Sequence, residues 1–338
     1  MRTEAFVSPN TAVPVPAAGR LALHRLRDYA LVPALALLFL LGALTSPSFL
    51  TPANLVSILG ASAALALVVL AESLIIITGK FDLSVESTVG IAPAVGAMLV
   101  IPAASGGFGT EWPVAAGLLA IAAVGACTGF LNGLLVVRLR LNAFIVTLAM
   151  LIVLRGLLVG ATRGGTLFDM PQPFFALATA TLLGLPLSVW LAALAFGTAA
   201  VMLRHHRLGR ALYAIGGNPH AARAAGINVD RITWGVFVLA GVLAAVGGLV
   251  VTGYVGAINA NQGSSMIFTV FAAAVIGGIS LDGGKGSMSG ALCGVLLLGM
   301  VQNLLTLAQV PSFWIQAIYG AIILGALMLA RLAGEQQQ

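Results

Sequence analysis

The chain has 338 residues, a net charge of +6, 60% apolar residues, only 8% charged ones and a mean hydropathy of +1.07. That composition excludes a water-soluble enzyme, and the cations form no dedicated basic domain for nucleic acid, so a polytopic membrane protein is expected. Apolar stretches of about 18 to 26 residues suit helices that cross a hydrocarbon core, whereas a β-barrel alternates in segments of about 10 residues; the expected fold class is all-α.

Residues 1–28 are polar and proline-containing, without a short apolar core and small-residue cleavage site, and read as a cytoplasmic tail. A hydropathy window then places membrane helices near 29–46, 54–78, 83–102, 113–137, 142–160, 184–203, 232–255, 266–281, 287–308 and 312–331, within one transmembrane domain over 29–332. Residues 333–338 form a second cytoplasmic tail. With both termini inside, every Lys and Arg except Arg155 and Arg163 falls on the cytoplasmic side, as the bias of positive charge toward inner loops requires. The net charge thus reflects topology and anionic lipid headgroups. Cys127 and Cys293 lie in apolar stretches and imply neither a disulfide framework nor a metal site. Trp112, Trp190, Trp234 and Trp314 fall near span ends, where interfacial anchors belong.

Ionisable residues at membrane depth mark the candidates for a translocation path. Asp82, Ser84 and Glu86 lie in FDLSVES, an apparent break between the second and third spans. They serve either a gate or pathway, or a structural pairing that satisfies loose backbone groups, with Lys80 as the partner cation. Glu72 stands inside the second span, either hydrogen-bonded between helices in protonated form or facing a pore. Asn132, Asn142, Thr147 and Arg155, with Gln302 and Asn303, add polar groups to later helices; interhelical hydrogen bonding is the commoner role for such residues and substrate contact the alternative. GxxxG spacing at Gly125 to Gly129 and Gly290 to Gly294 predicts close helix packing.

A polar, basic segment, 204–231, interrupts the apolar pattern after the sixth span. Within it Asn218 is suited to cap a helix, Pro219 to occupy its first position and Gly226 to end it. The apolar side of that helix is expected to carry Ala221, Ala224, Ala225 and Ile227, with Arg223 turned away. Periodicity alone leaves two roles open, a knob that seats in a partner's groove or an interfacial helix on lipid headgroups.

The segment GRALYAIGGNPHAARAAGINVDRI resembles the cytoplasmic coupling-helix region of permease subunits from ATP-binding-cassette importers of ribose, xylose, galactose and related simple sugars. IITGKFDLSVES is similar to that family's link between its second and third helices, and NAFIVTLAMLIVLRGL to its fifth helix. GGISLDGGKGSMSGALCGVLLLGMVQNLL with PSFWIQAIYGAIIL resembles its last three, so the likeness runs from about residue 50 to 332.

The resemblance implies a multi-pass subunit of the bacterial inner membrane, paired with a second copy or a paralogous permease, and fed by an extracytoplasmic binding protein. Two cytoplasmic ATPase subunits would hold the ATP and magnesium, and no cofactor or metal is assigned to this chain. GGKG at Lys285 lacks the spacing of a phosphate-binding loop, with Gly286 where Ser or Thr would reach magnesium. The coupling residues implied are Gly217, Asn218, Pro219, His220, Ala221, Ala222, Arg223, Ala225 and Gly226.

The chain departs from the family pattern in carrying Glu72, Lys80 and Glu86 in place of glycine or apolar residues, and His220 in place of an acidic residue. SSMIFTVFAAAV lacks the acidic residue usual before the eighth helix. The added charges point toward a polyol, a sugar acid or an amine-bearing solute. Competing readings are a permease for branched-chain amino acids or nucleosides, and an ion-coupled secondary transporter using Glu72, Asp82 or Glu86.

Overall fold

The computed structural model describes residues 31–335, so the expected tail over 1–28 and residues 336–338 lie outside the described residues. The described residues are mostly helical. It begins with α1 (Val32–Thr45), α2 (Pro52–Ile77), α3 (Val85–Val100), α4 (Val114–Gly133) and α5 (Ala143–Thr162). After the four-residue α6 (Ala176–Thr179) come α7 (Leu187–His205), α8 (Arg207–Gly217), α9 (Pro219–Ala224), α10 (Val229–Val255), α11 (Met266–Ile276), α12 (Met288–Leu307) and α13 (Ser312–Glu335). Residues 333–335 therefore continue the last helix instead of forming a separate tail.

Among the described residues six helices are long and apolar enough to cross a membrane: α2, α4 with its π-helical end to Arg138, α5, α7, α10 and α12. Four shorter apolar helical stretches, Val32–Thr45, Val85–Val100, Met266–Ile276 and Phe313–Ile322, occupy the other positions where spans are expected. The expected segment 266–281 is cut short because Gly277 and Gly278 end its helix, Gly278 in the left-handed conformation.

The centre of the bundle is α2 and α10. From Ala66 to Thr78 every residue is buried, as expected of a helix apolar on all faces. α10 lies against α2, α3 and α4, while α12 packs on α2 and α11, α5 on α3 and α7 on α2. Elsewhere apolar side chains such as Leu119, Ile145, Ile152, Leu194 and Val201 are exposed, the surface a protein presents to lipid.

Close approach between helices uses glycine where the spacing predicts it. A Cβ at Gly125 would strike the carbonyl oxygen of Gly241, and one at Gly129 that of Phe237, so α4 and α10 meet backbone to backbone. Gly290 and Gly294 likewise press on the carbonyls of Gly277 and Ala273 at the α11–α12 contact.

The connections sort to two ends. At one, strand β1 (Thr166–Leu167) pairs with β4 (Ile258–Asn259), and Ser105 Oγ donates to Asp169 Oδ2 at 3.0 Å. Strands β2 (Thr181–Leu182) and β3 (Leu185–Pro186) form a tight hairpin. At the other end, the α2–α3 break, the α4–α5 link, α8 and α9 come together with the loop between α11 and α12.

Candidate functional site: a glycine junction and a buried polar cluster

The expected short helix is present as α9. Asn218 Oδ1 accepts from the backbone N–H of His220 and of Ala221, both at 3.0 Å, and Pro219 takes the first helical position, where no N–H is needed. The helix closes with Gly226 at φ +80, a conformation that L side chains resist.

Its apolar side differs from the expected one. Ala222 is the buried residue, packed with Ile215 and Val229, while Ala221, Ala224 and Ala225 are exposed and Ile227 is half-buried. Arg223 turns outward and bridges Asp230 at 2.6 Å with both side chains about half exposed, so that pair contributes about 1 kcal/mol or less.

Sequence reasoning missed α8. Its buried Ala211, Leu212 and Ile215 recur at helical spacing, and His206 Nδ1 accepts from Leu208 N–H at 3.2 Å to cap it. This helix leads into a junction built from glycine. A Cβ at Gly216 would overlap both the Ile77 carbonyl oxygen at the end of α2 and the Gly284 nitrogen, while Gly284 N–H donates to Ile77 O at 2.9 Å. Gly283, at φ +84, would bring a Cβ to 2.7 Å from Gly79 Cα, and Tyr213 Oη donates to Gly286 O at 2.8 Å. The GGKG run is therefore a packing device: the end of α8, the end of α2 and the loop before α12 share one backbone contact that no side chain can enter.

Beside the junction lies a cavity of about 530 Å³, lined among others by Lys80, Arg140, His220, Arg223, Thr233 and Asp282. Lys80 is exposed there and is not the partner of Asp82. Burial of Asp82 selects a different solution, neutral donors close at hand. Asp82 Oδ1 accepts from Ser84 N–H at 2.9 Å and from Ser84 Oγ at 2.6 Å, while Asn132 Nδ2 lies 3.2 Å from each carboxylate oxygen and 2.7 Å from Ser84 Oγ. Glu72 Oε1 joins by accepting from Asp82 N–H at 3.2 Å.

The break between α2 and α3 is thus tied to α4 through one asparagine. Replacing Asn132 with alanine removes the donor that α4 supplies to Asp82 and Ser84 and is expected to cost about 1–3 kcal/mol. Thermal unfolding of the purified chain checks it; an unchanged midpoint would show that the cluster does not hold α4.

Glu86 is not a loose charge. Its Oε1 pairs with Arg155 Nη2 at 3.2 Å, and its Oε2 accepts from Ile267 N–H at 3.2 Å, at the N-terminus of α11 where negative charge is favoured. Arg155 Nη1 also donates to Gln262 O at 2.9 Å, and Gln262 Nε2 to Val89 O at 3.0 Å. One clamp therefore joins α3, α5, the 259–265 turn and α11. Glu86, reaching across from α3, thus places a carboxylate at the start of α11.

The remaining candidates scatter. Asn142 is exposed and caps α5 through Ile145 N–H, and Thr147 Oγ1 bonds back to Ala143 O. Asn303 forms a reciprocal amide pair with Asn54, at 2.8 and 3.1 Å, that fastens α12 to the start of α2. Gln302 Oε1 accepts from Tyr319 Oη at 3.2 Å. These are interhelical or capping bonds, and none of these residues joins the Asp82 cluster.

A lipid-embedded helical bundle whose interior carries hydrogen-bonded polar clusters, and whose loops meet in a tight junction at one end, has the build of a membrane transport protein. The chain belongs to the family described as "branched-chain amino acid transport system / permease component", whose model matches residues 54–332. It is 35% identical over 300 residues to the ribose import permease protein RbsC of Escherichia coli strain K12, covering 88% of this chain and 91% of that protein. It is 32% identical over 332 residues to the L-arabinose ABC transporter permease protein AraH of Azospirillum brasilense, covering 98% and 95%. It is also 34% identical to the autoinducer 2 import system permease protein LsrC of Yersinia pseudotuberculosis, over 88% of this chain and 83% of that one. No solved structure matches the chain.

Proposed function

We propose that this chain is the membrane subunit of an ATP-binding-cassette importer for a sugar or sugar-like solute. Partner ATPase subunits supply ATP and magnesium, an extracytoplasmic binding protein delivers the solute, and a second copy or a paralogous permease completes the path in a bacterial inner membrane. What carries this reading is near end-to-end similarity to permeases named for ribose and L-arabinose. The family description names branched-chain amino acids, but these relatives favour a hydroxyl-rich solute.

The charges expected from the sequence to set this chain apart are compatible with a neutral solute. Glu86 is matched by Arg155, Lys80 lies at the junction end, and Glu72 is fully buried beside the α2–α3 break. None of these requires a charged cargo.

In this reading ten apolar segments cross the membrane, both termini are cytoplasmic, and α8 with α9 receives the motion of the ATPase dimer. The Gly216–Ile77–Gly284 contact passes that motion to α2, and through it to the core, as an exchange between two packed states. A cysteine at His220 should then react with a membrane-impermeant thiol reagent in inside-out vesicles and not in intact spheroplasts. Labelling from the outer face would invert the topology and remove the coupling role of α9.

A further inference from the structure

The polar cluster at the end of α2 lacks one element that its charges require. Glu72 is 0% exposed and Asp82 is 1% exposed, and Glu72 Oε1 accepts from the backbone N–H of Asp82, yet no cation bridges either carboxyl group among the described residues. Two buried carboxylates at one helix break cannot both remain ionised without a counter-charge. Lys80 is exposed and Arg155 is engaged by Glu86. On the helices packed against α2 the charged groups stand at helix ends: Asp230 and Arg231 on α10, Arg204 and His205 on α7, Arg207 and Arg210 on α8. α11 and α12 carry none, and Asp282 and Lys285 are exposed in the loop between them.

The hydrogen-bond pattern separates the two carboxylates. Burial works against a charge on Asp82, but donors from Ser84 and Asn132 oppose it and favour the ionised form, whereas Glu72 Oε2 is buried with no partner among the described residues. Asn132 Oδ1, 0% exposed and carried by a residue that bonds Asp82, is also without a partner. A carboxyl O–H is the donor this cluster is missing.

We propose that Glu72 and Asp82 form a single-proton site, in which Glu72 holds one proton and Asp82 stays ionised within its donors. The proton is taken from water and returned to it when the end of α2 moves. Glu72 is five residues before Ile77, whose carbonyl lies in the glycine junction, so a shift of α8 and α9 acts within about one and a half helical turns of the proton. This consequence for the cycle rests on the importer reading; the proton itself does not.

Two measurements on the full chain in lipid vesicles test the site. Infrared spectra at neutral pH should show a protonated carboxyl band that shifts on uniform ¹³C-glutamate labelling and disappears in Glu72→Gln and Glu72→Met, the second an apolar variant of similar volume. A band that ignores glutamate labelling, or none, overturns the proposal even if neither variant folds. Thermal stability that rises with sodium but not potassium, and no longer does so in Glu72→Met, would also overturn it in favour of a metal-cation site. In the assembled complex, uptake by the unsubstituted chain should fall about tenfold as pH is raised through the loss of that band, the factor set by a tenfold change in proton concentration per pH unit, while Glu72→Gln stays flat. Equal pH profiles would remove the role in the cycle. Absence of uptake from every form, with the band present, would count against the importer reading and leave the proton site standing.

Discussion

Arg155→Ala should lower the stability of the bundle by about 3–5 kcal/mol, the cost of leaving a buried carboxylate without its partner. Glu86 would retain only the Ile267 N–H, and the turn at Gln262 would lose its tie to α5. Because the loss arises from an uncompensated charge, the double variant Glu86→Gln, Arg155→Met should recover most of it, although it restores no ion pair. Thermal unfolding of the purified chain in detergent measures both. An Arg155→Ala midpoint equal to that of the unsubstituted chain would mean that the clamp does not hold α3, α5 and α11 together. A double variant no better than the single would locate the loss in packing instead of charge.

Gly216→Val should abolish coupling while leaving the chain in the membrane. A side chain there meets the Ile77 carbonyl and the Gly284 nitrogen, so α8 must lift from the end of α2. Coupling between distant sites is worth about 1–3 kcal/mol, a factor of about 5–150, and uptake should fall by about that factor while ATP hydrolysis by the partner subunits continues. Gly235→Ala, in α10 and outside the junction, is the control, since nothing lies within 4 Å of a Cβ at Gly235. If both variants transport equally, the junction does not carry the motion. If Gly216→Val fails to reach the membrane, the same contact is tested by Tyr213→Phe, which removes one hydrogen bond to Gly286 and is expected to reduce uptake by less.

Much of the helical framework was legible in the residues because a bilayer imposes apolar runs of nearly fixed length. The cap at Asn218, the stop at Gly226 and the glycine spacings at 125/129 and 290/294 were legible for a similar reason: each depends on a residue type whose backbone chemistry is local. Long-range pairing was not. Lys80 is two residues from Asp82 in sequence, which made it the natural partner, yet the chain turns Lys80 outward and brings Asn132 from α4, fifty residues on. Glu86 finds Arg155 and Ile267 across three elements, a choice set by tertiary packing. The buried side of α9 was misjudged by one residue because six residues are too few for periodicity to fix a face. The amphipathic α8 is masked in the sequence because Arg207 and Arg210 break the apolar pattern that Ala211, Leu212 and Ile215 would otherwise show.

The role of the glycines around Gly216 and Gly284 was also hidden in the sequence. GGN and GGKG read individually as turns or as a failed phosphate loop, and only their meeting with Ile77 and Gly79 shows why neither tolerates a side chain. Glu72 and Glu86, expected from the sequence to be departures, sit on the elements that flank the α2–α3 break, one accepting from the Asp82 N–H and the other paired with Arg155.

The measurement that tests the central claim most directly is uptake by the reconstituted complex. The chain would be co-expressed with the ATPase and binding protein encoded beside it, placed in vesicles, and supplied with ATP and a panel of pentoses, hexoses and polyols. ATP-dependent accumulation of one such solute, stimulated only by its loaded binding protein and absent from the chain alone, is the predicted result. Accumulation by the chain alone, driven by a proton or sodium gradient with no ATPase present, would contradict it.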